Sequence, residues 1–228
     1  MFSDVSLPSS KFLNAQPWFK QLSGELQAQV AASMVTLQGS KGEVLLPAGS
    51  EVNGCYAVLS GLVKLQTPSG QGPVSAFLGV PDGEWFGEGS ALKTEGRRYE
   101  VIALRDTVLL CLPRAQFDAL LASSLPFNHF LLGQMNRRLG QAMAIVEAGR
   151  LRAPGQRVAL YLSQMFWSGR RRIVLSQEEI GHLAGLSRQT VNQALKSMEE
   201  HNLVSLDFGR VTILDPQALA AYASRPGA

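Results

Sequence analysis

Between Ser176 and Leu214 the chain carries a run of local signals that leaves very few folds open. Ser176 followed three residues later by Glu179 is a capping box, which predicts a helix from about Gln177 with Ile180, Leu183 and Ala184 buried. Gly185 permits a tight turn, Leu186 plugs the angle between two helices, and Ser187 is a second N-cap, with a new helix from Arg188. In that helix Val191, Leu195 and Met198 share one face. The opposite face carries Arg188, Gln189, Asn192, Gln193 and Lys196. Arginine matches the two acceptors of guanine, and a carboxamide matches the acceptor–donor pair of adenine, so this face suits a major groove. Ser176, Ser187 and Thr190, with the helix N-terminus, suit phosphates. Leu203–Leu206, a turn Asp207-Phe-Gly-Arg210, and Val211–Leu214 then read as a hairpin wing with Arg210 at its tip. Each piece alone is an ordinary packing motif or a solvated surface. Together they point to DNA.

The charge distribution agrees. Of 21 Lys/Arg and 18 Asp/Glu, 10 and 6 fall in residues 148–228, so the excess of base is confined to that end. Between Ala148 and Gln177 every charged residue is an arginine. The run Arg170-Arg171-Arg172 reads equally as a solvated turn or a phosphate contact.

Upstream, residues 12–35 show helical spacing of apolar residues, with Pro17 marking a start. From Gly39 the pattern turns to short runs, Glu43–Leu46, Cys55–Leu59, Leu62–Gln66, Val74–Leu78, Tyr99–Leu104 and Thr107–Leu112. They are separated by Pro47-Ala-Gly49, Pro68-Ser-Gly70, Gly72-Pro73 and Pro81-Asp-Gly83. Such punctuation predicts an antiparallel roll or barrel. The two cysteines, Cys55 and Cys111, sit in strand-like runs without metal-ligand spacing and read as buried small hydrophobes in a reducing cytoplasm. The first ten residues lack the basic start of a signal peptide, and no stretch approaches the ~20 apolar residues of a membrane helix.

Helical spacing returns at Arg114 and, after Pro126, becomes heptad. Leu132, Leu139 and Val146 lie seven apart, and Met135, Ala142 and Gly149 follow each by three. That narrow a/d seam predicts a partner helix, hence a homodimer, over the alternative of packing on its own domain. Ala153-Pro154-Gly155 breaks the helix. The expected architecture is α+β. Residues 1–126 hold N-terminal helices and a jelly-roll-like sensor β-roll, 127–152 a dimerisation helix, and 153–228 a winged helix-turn-helix domain.

From Trp18 to Leu214 the chain resembles the Crp/Fnr family, named for the cyclic-AMP receptor and Fnr. The strongest segments are Gln177-Glu-Glu-Ile-Gly-His-Leu-Ala-Gly-Leu-Ser-Arg-Gln-Thr-Val-Asn192 and Asp82-Gly-Glu-Trp-Phe-Gly-Glu88. The resemblance implies a cyclic-nucleotide-binding-like roll and a homodimer on a two-fold symmetric DNA site. It also implies contact with RNA polymerase. Arg188, Gln189 and Gln193 fall where the family reads bases. The cyclic-AMP receptor carries Arg, Glu and Arg there, so the implied half-site is shared only in part.

In nucleotide-binding members a Gly-Glu pair holds the ribose, and an Arg ten residues after the Glu grips the cyclic phosphate. Gly87-Glu88 and Arg98 match that spacing, with Ser90, Arg97 and Tyr99 beside them and Ala142 and Met143 on the long helix. The implied effector is cAMP or cGMP. Tyr99 departs from the small hydroxyl residue usual after the Arg, and Ala142 and Met143 replace hydroxyls that bond the base. The alternatives are another effector, or a constitutive DNA-binding dimer in whose roll Glu88 and Arg98 pair as a salt bridge. An iron–sulfur cluster needs about four cysteines and is excluded. Haem is disfavoured, since His129 is the one histidine near the roll. An enzyme of cupin type would need histidines between Gly39 and Leu112, where there are none. No nucleophile turn or Gly-Lys-Ser/Thr loop is present either.

Overall fold

The computed structural model describes residues 7–68, 76–93, 95–151, 153–167, 172–207 and 209–224. The expected turns at Pro68–Gly70 and Gly72-Pro73, the start of the Val74–Leu78 strand, Arg170, Arg171 and Phe208 lie outside the described residues. Contacts divide the chain between Arg138 and Leu139, apart from residues 75–77.

The first unit opens with α1 (Leu7–Ala15), α2 (Pro17–Lys20) and α3 (Gly24–Ser33). Pro17 starts α2, and the Ser23 hydroxyl caps α3 by accepting from Leu26 N. The strands are β1 (Val35–Gly39), β2 (Val44–Leu46), β3 (Gly54–Ser60), β4 (Leu62–Gln66), β5 (Ala76–Pro81), β6 (Trp85–Phe86), β7 (Glu100–Ala103) and β8 (Thr107–Pro113). They form two four-stranded sheets, ordered β1-β8-β3-β6 and β2-β7-β4-β5. Between β6 and β7 lies α4 (Glu88–Ala91).

Strand β8 shows why the roll holds together. Leu109 and Cys111 face the core between the sheets, with Val58, Val63, Val101 and Phe86. Leu110 and Leu112 face the opposite core, under the helices. Both faces of one strand are buried, so its sequence is continuously apolar, not alternating. The helical side is an aromatic cluster. Trp18 lies 5.0 Å from Phe127, 5.8 Å from Phe19 and Phe130, and 6.1 Å from Trp85 between ring centroids. After β8 come α5 (Arg114–Ser123) and α6 (Leu125–Leu151), whose Phe127 and Leu131 enter this same core.

In the second unit α6 is followed by α7 (Pro154–Leu162), β9 (Arg172–Ile173), α8 (Gln177–Ala184) and α9 (Arg188–Glu200). The hairpin β10 (Val204–Asp207) and β11 (Arg210–Ile213) and α10 (Pro216–Ala223) complete it, with the three strands ordered β10-β11-β9. Buried Gln141 of α6 donates Nε2 to Met165 O, 2.7 Å, which fastens this part of the helix to the segment after α7.

Several elements differ from the sequence reading. Residues expected as helix up to 35 already turn to strand at Val35, where Val-Thr-Leu pairs with Leu109–Cys111. Strands β6 and β9, two residues each, are too short for periodicity to reveal. Pro154, read as a breaker, also initiates α7 as its first residue. Asp215 accepts from Gln217 N and Ala218 N ahead of Pro216, so α10 had a cap signal in the sequence that went unused. Asp207 and Arg210, expected within the wing turn, are instead cross-strand partners. Among the described residues no helix is long and apolar enough to cross a membrane.

Candidate nucleic-acid interface and effector site

The helix pair is locked by the groups the sequence singled out. Ser176 Oγ accepts from Glu179 N, 3.1 Å, and Glu179 Oε2 accepts from Ser176 N, 2.6 Å. Gly185 takes the left-handed conformation with φ 63°. Ser187 Oγ accepts from Thr190 N, 3.1 Å, and lies 2.8 Å from Thr190 Oγ1. The two hydroxyls therefore serve each other and the cap first, which leaves Ser187 and Thr190 less free for phosphate than the sequence alone suggested. Two features were missed. A Cβ on Gly181 would stand 2.7 Å from Leu186 O, so the close approach of the two helices needs glycine there. Arg157 of α7 donates Nη2 to Ala184 O, 2.5 Å, capping the last turn of α8.

With the pair fixed, Val191, Leu195 and Met198 are buried. Arg188, Gln189, Gln193 and Lys196 are exposed, and Thr190 and Asn192 are half-buried. Arg210 and Arg172 are exposed at the ends of β11 and β9. A helix N-terminus with amide and guanidinium side chains turned to solvent can present donors and acceptors to base edges.

The seam of α6 is also exposed. Leu132, Met135, Leu139 and Val146 are 65, 43, 60 and 56% accessible, and Ala142, Met143 and Gly149 are exposed as well. The other side of the helix is covered, through Leu131, Gln134, Gln141, Ala144 and Ala148. His129 is exposed near the helix start.

Within the roll, the arginine at the expected spacing, Arg98, does not face inward. Arg98 is 73% accessible and pairs with Glu95 at 2.6 Å, which holds the Glu95 carboxyl below the usual range. The Glu88–Arg98 bridge of the alternative, ligand-free roll does not form: Arg98 pairs with Glu95 and Glu88 faces Arg138. Arg97 is the inward arginine, 2% exposed. Its backbone is pinned to the neighbouring segment by Gly49 N donating to Arg97 O, 2.7 Å, and Arg97 N donating to Ser50 O, 3.0 Å. Arg97 is buried and Tyr99 half-buried against it, while Arg98 between them is exposed. The spacing counted from Glu88 reaches the exposed Arg98, whereas the buried arginine is Arg97.

Around Arg97 the roll is tightly built. Its Cζ lies 5.5 Å from the Tyr56 ring centroid and 5.4 Å from that of Tyr99. Nη1 donates to Tyr99 Oη, 3.3 Å, and Ser90 Oγ donates to the same oxygen, 3.2 Å. Arg97 Nε and Nη2 have no hydrogen-bond partner. Burial pushes the Tyr99 phenol up, so it stays a neutral hydroxyl at physiological pH. Gly87 is left-handed, φ 87°, and a Cβ there would lie 3.5 Å from Tyr56 Cδ2 and 3.9 Å from Arg97 Nη1. Glu88 is buried with Oε1 3.8 Å from Arg138 Nε, while its Oε2 is unpartnered. Arg138 Nη2 also donates to Trp85 O, 2.8 Å, and burial lowers the affinity of its guanidinium for the proton. Cys55 and Cys111 are buried free thiols, both raised by burial, Cys111 to about 11.

Comparison with known proteins fits both halves. Residues 37–124 match the family model of the cyclic nucleotide-binding domain, and residues 156–222 that of the Crp-like helix-turn-helix domain. The Cyclic AMP receptor protein of Thermus thermophilus is 32% identical over 171 residues, 74% of this chain and 78% of the relative. The chain belongs to the Crp/Fnr family of transcription regulators. The transcriptional regulator LdrP of the same species is 29% identical over 189 residues, 78% of this chain and 91% of LdrP. The solved structure of FixK2 from Bradyrhizobium japonicum has the same fold, with a TM-score of 0.70 at 18% identity over 85% of this chain and 99% of FixK2. As a Crp/Fnr protein, the chain is a transcription regulator with a DNA-binding helix-turn-helix domain over residues 156–222.

Proposed function

We propose that this regulator works as a homodimer on a two-fold symmetric DNA site and is gated by an anionic effector held in the β-roll. The effector reading rests on Arg97. A guanidinium withdrawn from water with two N–H groups unpaired is costly, and an anion on that edge removes the cost. Glu88 Oε2 supplies a buried acceptor for a donor on the same ligand. The residues thus fit an anionic group such as the phosphate of a cyclic nucleotide. The dimer reading rests on the open seam of Leu132, Met135, Leu139, Ala142 and Val146.

On DNA, Arg188, Gln189 and Gln193 read bases, with Asn192 and Lys196 beside them. Arg210 meets the backbone, and the caps made by Ser176, Ser187 and Thr190 set the helix N-termini beside it. The protein acts in the cytoplasm, contacts RNA polymerase as a regulator and carries out no catalysis. Its working parts are residues 1–126, the helix 127–152 and the reader 153–228. Selection of binding sites from random duplexes is expected to return inverted half-sites about one helical turn apart. Enrichment of single, unrepeated half-sites would contradict the dimeric reading.

A further inference from the structure

The Arg97 guanidinium is buried, with its Nε and Nη2 lacking hydrogen-bond partners. Two phenol rings, those of Tyr56 and Tyr99, stand within 5.5 Å of its central carbon. Tyr56 is itself stacked on Phe86, with ring centroids 5.8 Å apart, so the Tyr56 side is backed by the core. The Tyr99 hydroxyl occupies Nη1 and is held there by Ser90. The two unpartnered nitrogens, Nε and Nη2, are neighbours on the guanidinium and form one fork. That fork has the spacing to take two oxygens of a single planar or tetrahedral oxyanion. The Tyr99 ring lies over Arg97 and its hydroxyl covers the Nη1 end, so a bulky ligand would have to displace that side chain to reach the guanidinium.

We infer that Tyr99 sets the effector specificity of the roll: it shields Arg97 from a nucleoside cyclic phosphate and leaves the Nε–Nη2 edge for a small oxyanion, a carboxylate or phosphoryl group whose own donor meets Glu88 Oε2. This rests on the proposal above that the roll takes an anionic effector, and it narrows that effector to a compact, non-nucleoside one.

The test is thermal-shift and calorimetric titration of the full-length protein with cAMP, inorganic phosphate and L-lactate, on wild type and on Tyr99→Ala, Tyr99→Phe and Arg97→Gln. Wild type is expected to be stabilised by phosphate or lactate at millimolar concentration and not by cAMP. Which of the two acts separates a phosphoryl from a carboxylate ligand. Tyr99→Ala removes the ring and is expected to gain at least tenfold in cAMP affinity. Should Tyr99→Ala not fold, Tyr99→Phe keeps the ring and frees Nη1. It is expected to bind the small anion several-fold tighter while still excluding cAMP. Arg97→Gln abolishes every response. Tight cAMP binding by wild type overturns the inference and leaves the effector reading standing. A wild type, Tyr99→Ala and Tyr99→Phe that bind DNA but respond to none of the three probes overturn both. Tyr99→Phe with anion affinity unchanged or reduced overturns the capping role of the hydroxyl.

Discussion

Leu139→Glu is expected to turn the protein into a monomer and to weaken binding to a symmetric duplex by about 100-fold or more. Leu139 lies mid-seam and is 60% accessible in a single chain, so glutamate costs the isolated protomer little. In a dimer the same position faces its counterpart across a narrow apolar interface. Two buried carboxylates there would face each other without partners, which a seam of only about three heptads cannot absorb. Loss of DNA affinity follows from loss of the second reader. Two linked half-site contacts gain roughly 10²–10⁴ over one through effective concentration alone. Analytical ultracentrifugation reads the mass and fluorescence anisotropy reads the affinity. A Leu139→Glu protein that stays dimeric at micromolar concentration would show that the exposed stripe is not the interface.

Arg97→Met is expected to make the ligand-free protein more stable, by about 1–3 kcal/mol, while removing its response to anions. Most substitutions at a position only 2% exposed destabilise, so the sign is distinctive. Burying a charge costs several kcal/mol even after relaxation. The two aromatic contacts of Arg97 return about 0.5–2 kcal/mol each, and one hydrogen bond to Tyr99 adds roughly 1 kcal/mol. Nε and Nη2 return nothing until an anion arrives. Methionine has similar reach, no charge, and packs well against rings. Urea denaturation of the ligand-free protein measures the difference. A loss of stability would mean that the guanidinium is already compensated and that no ligand is needed to complete it.

The reader domain was legible because its signals are local. A capping box, a left-handed glycine and a second serine cap each act within four residues, and α8 and α9 begin at Gln177 and Arg188 as those signals require. The seam of α6 was legible for a similar reason, since a heptad repeats within one helix. What escaped the sequence depends on partners distant along the chain. Gly181 matters because Leu186 O approaches it, and Arg157 because it reaches the carbonyl of Ala184. The pair Arg97 and Arg98 shows the limit most clearly. Adjacent residues Arg97 and Arg98 are chemically identical, and only the backbone bonds of Arg97 to Gly49 and Ser50 decide which faces the core. A spacing rule counted from Glu88 cannot register that parity. Likewise nothing near Tyr99 in sequence announces that its hydroxyl closes one end of the arginine.

The account as a whole depends on the outward face of α9 meeting base edges in a major groove. Methylation interference tests this directly, because N7-methylated guanine blocks the groove at a known base while leaving the phosphates intact. On a selected duplex, methylation of one guanine in each half-site is expected to abolish binding by the wild type. Arg188→Ala is expected to bind more weakly by about 1–3 kcal/mol per half-site contact and to become indifferent to methylation at that guanine. If N7 methylation leaves wild-type binding unchanged everywhere in the site, or if Arg188→Ala retains the same sensitivity, Arg188 does not read guanine in the groove and the assignment of α9 as the recognition helix is contradicted.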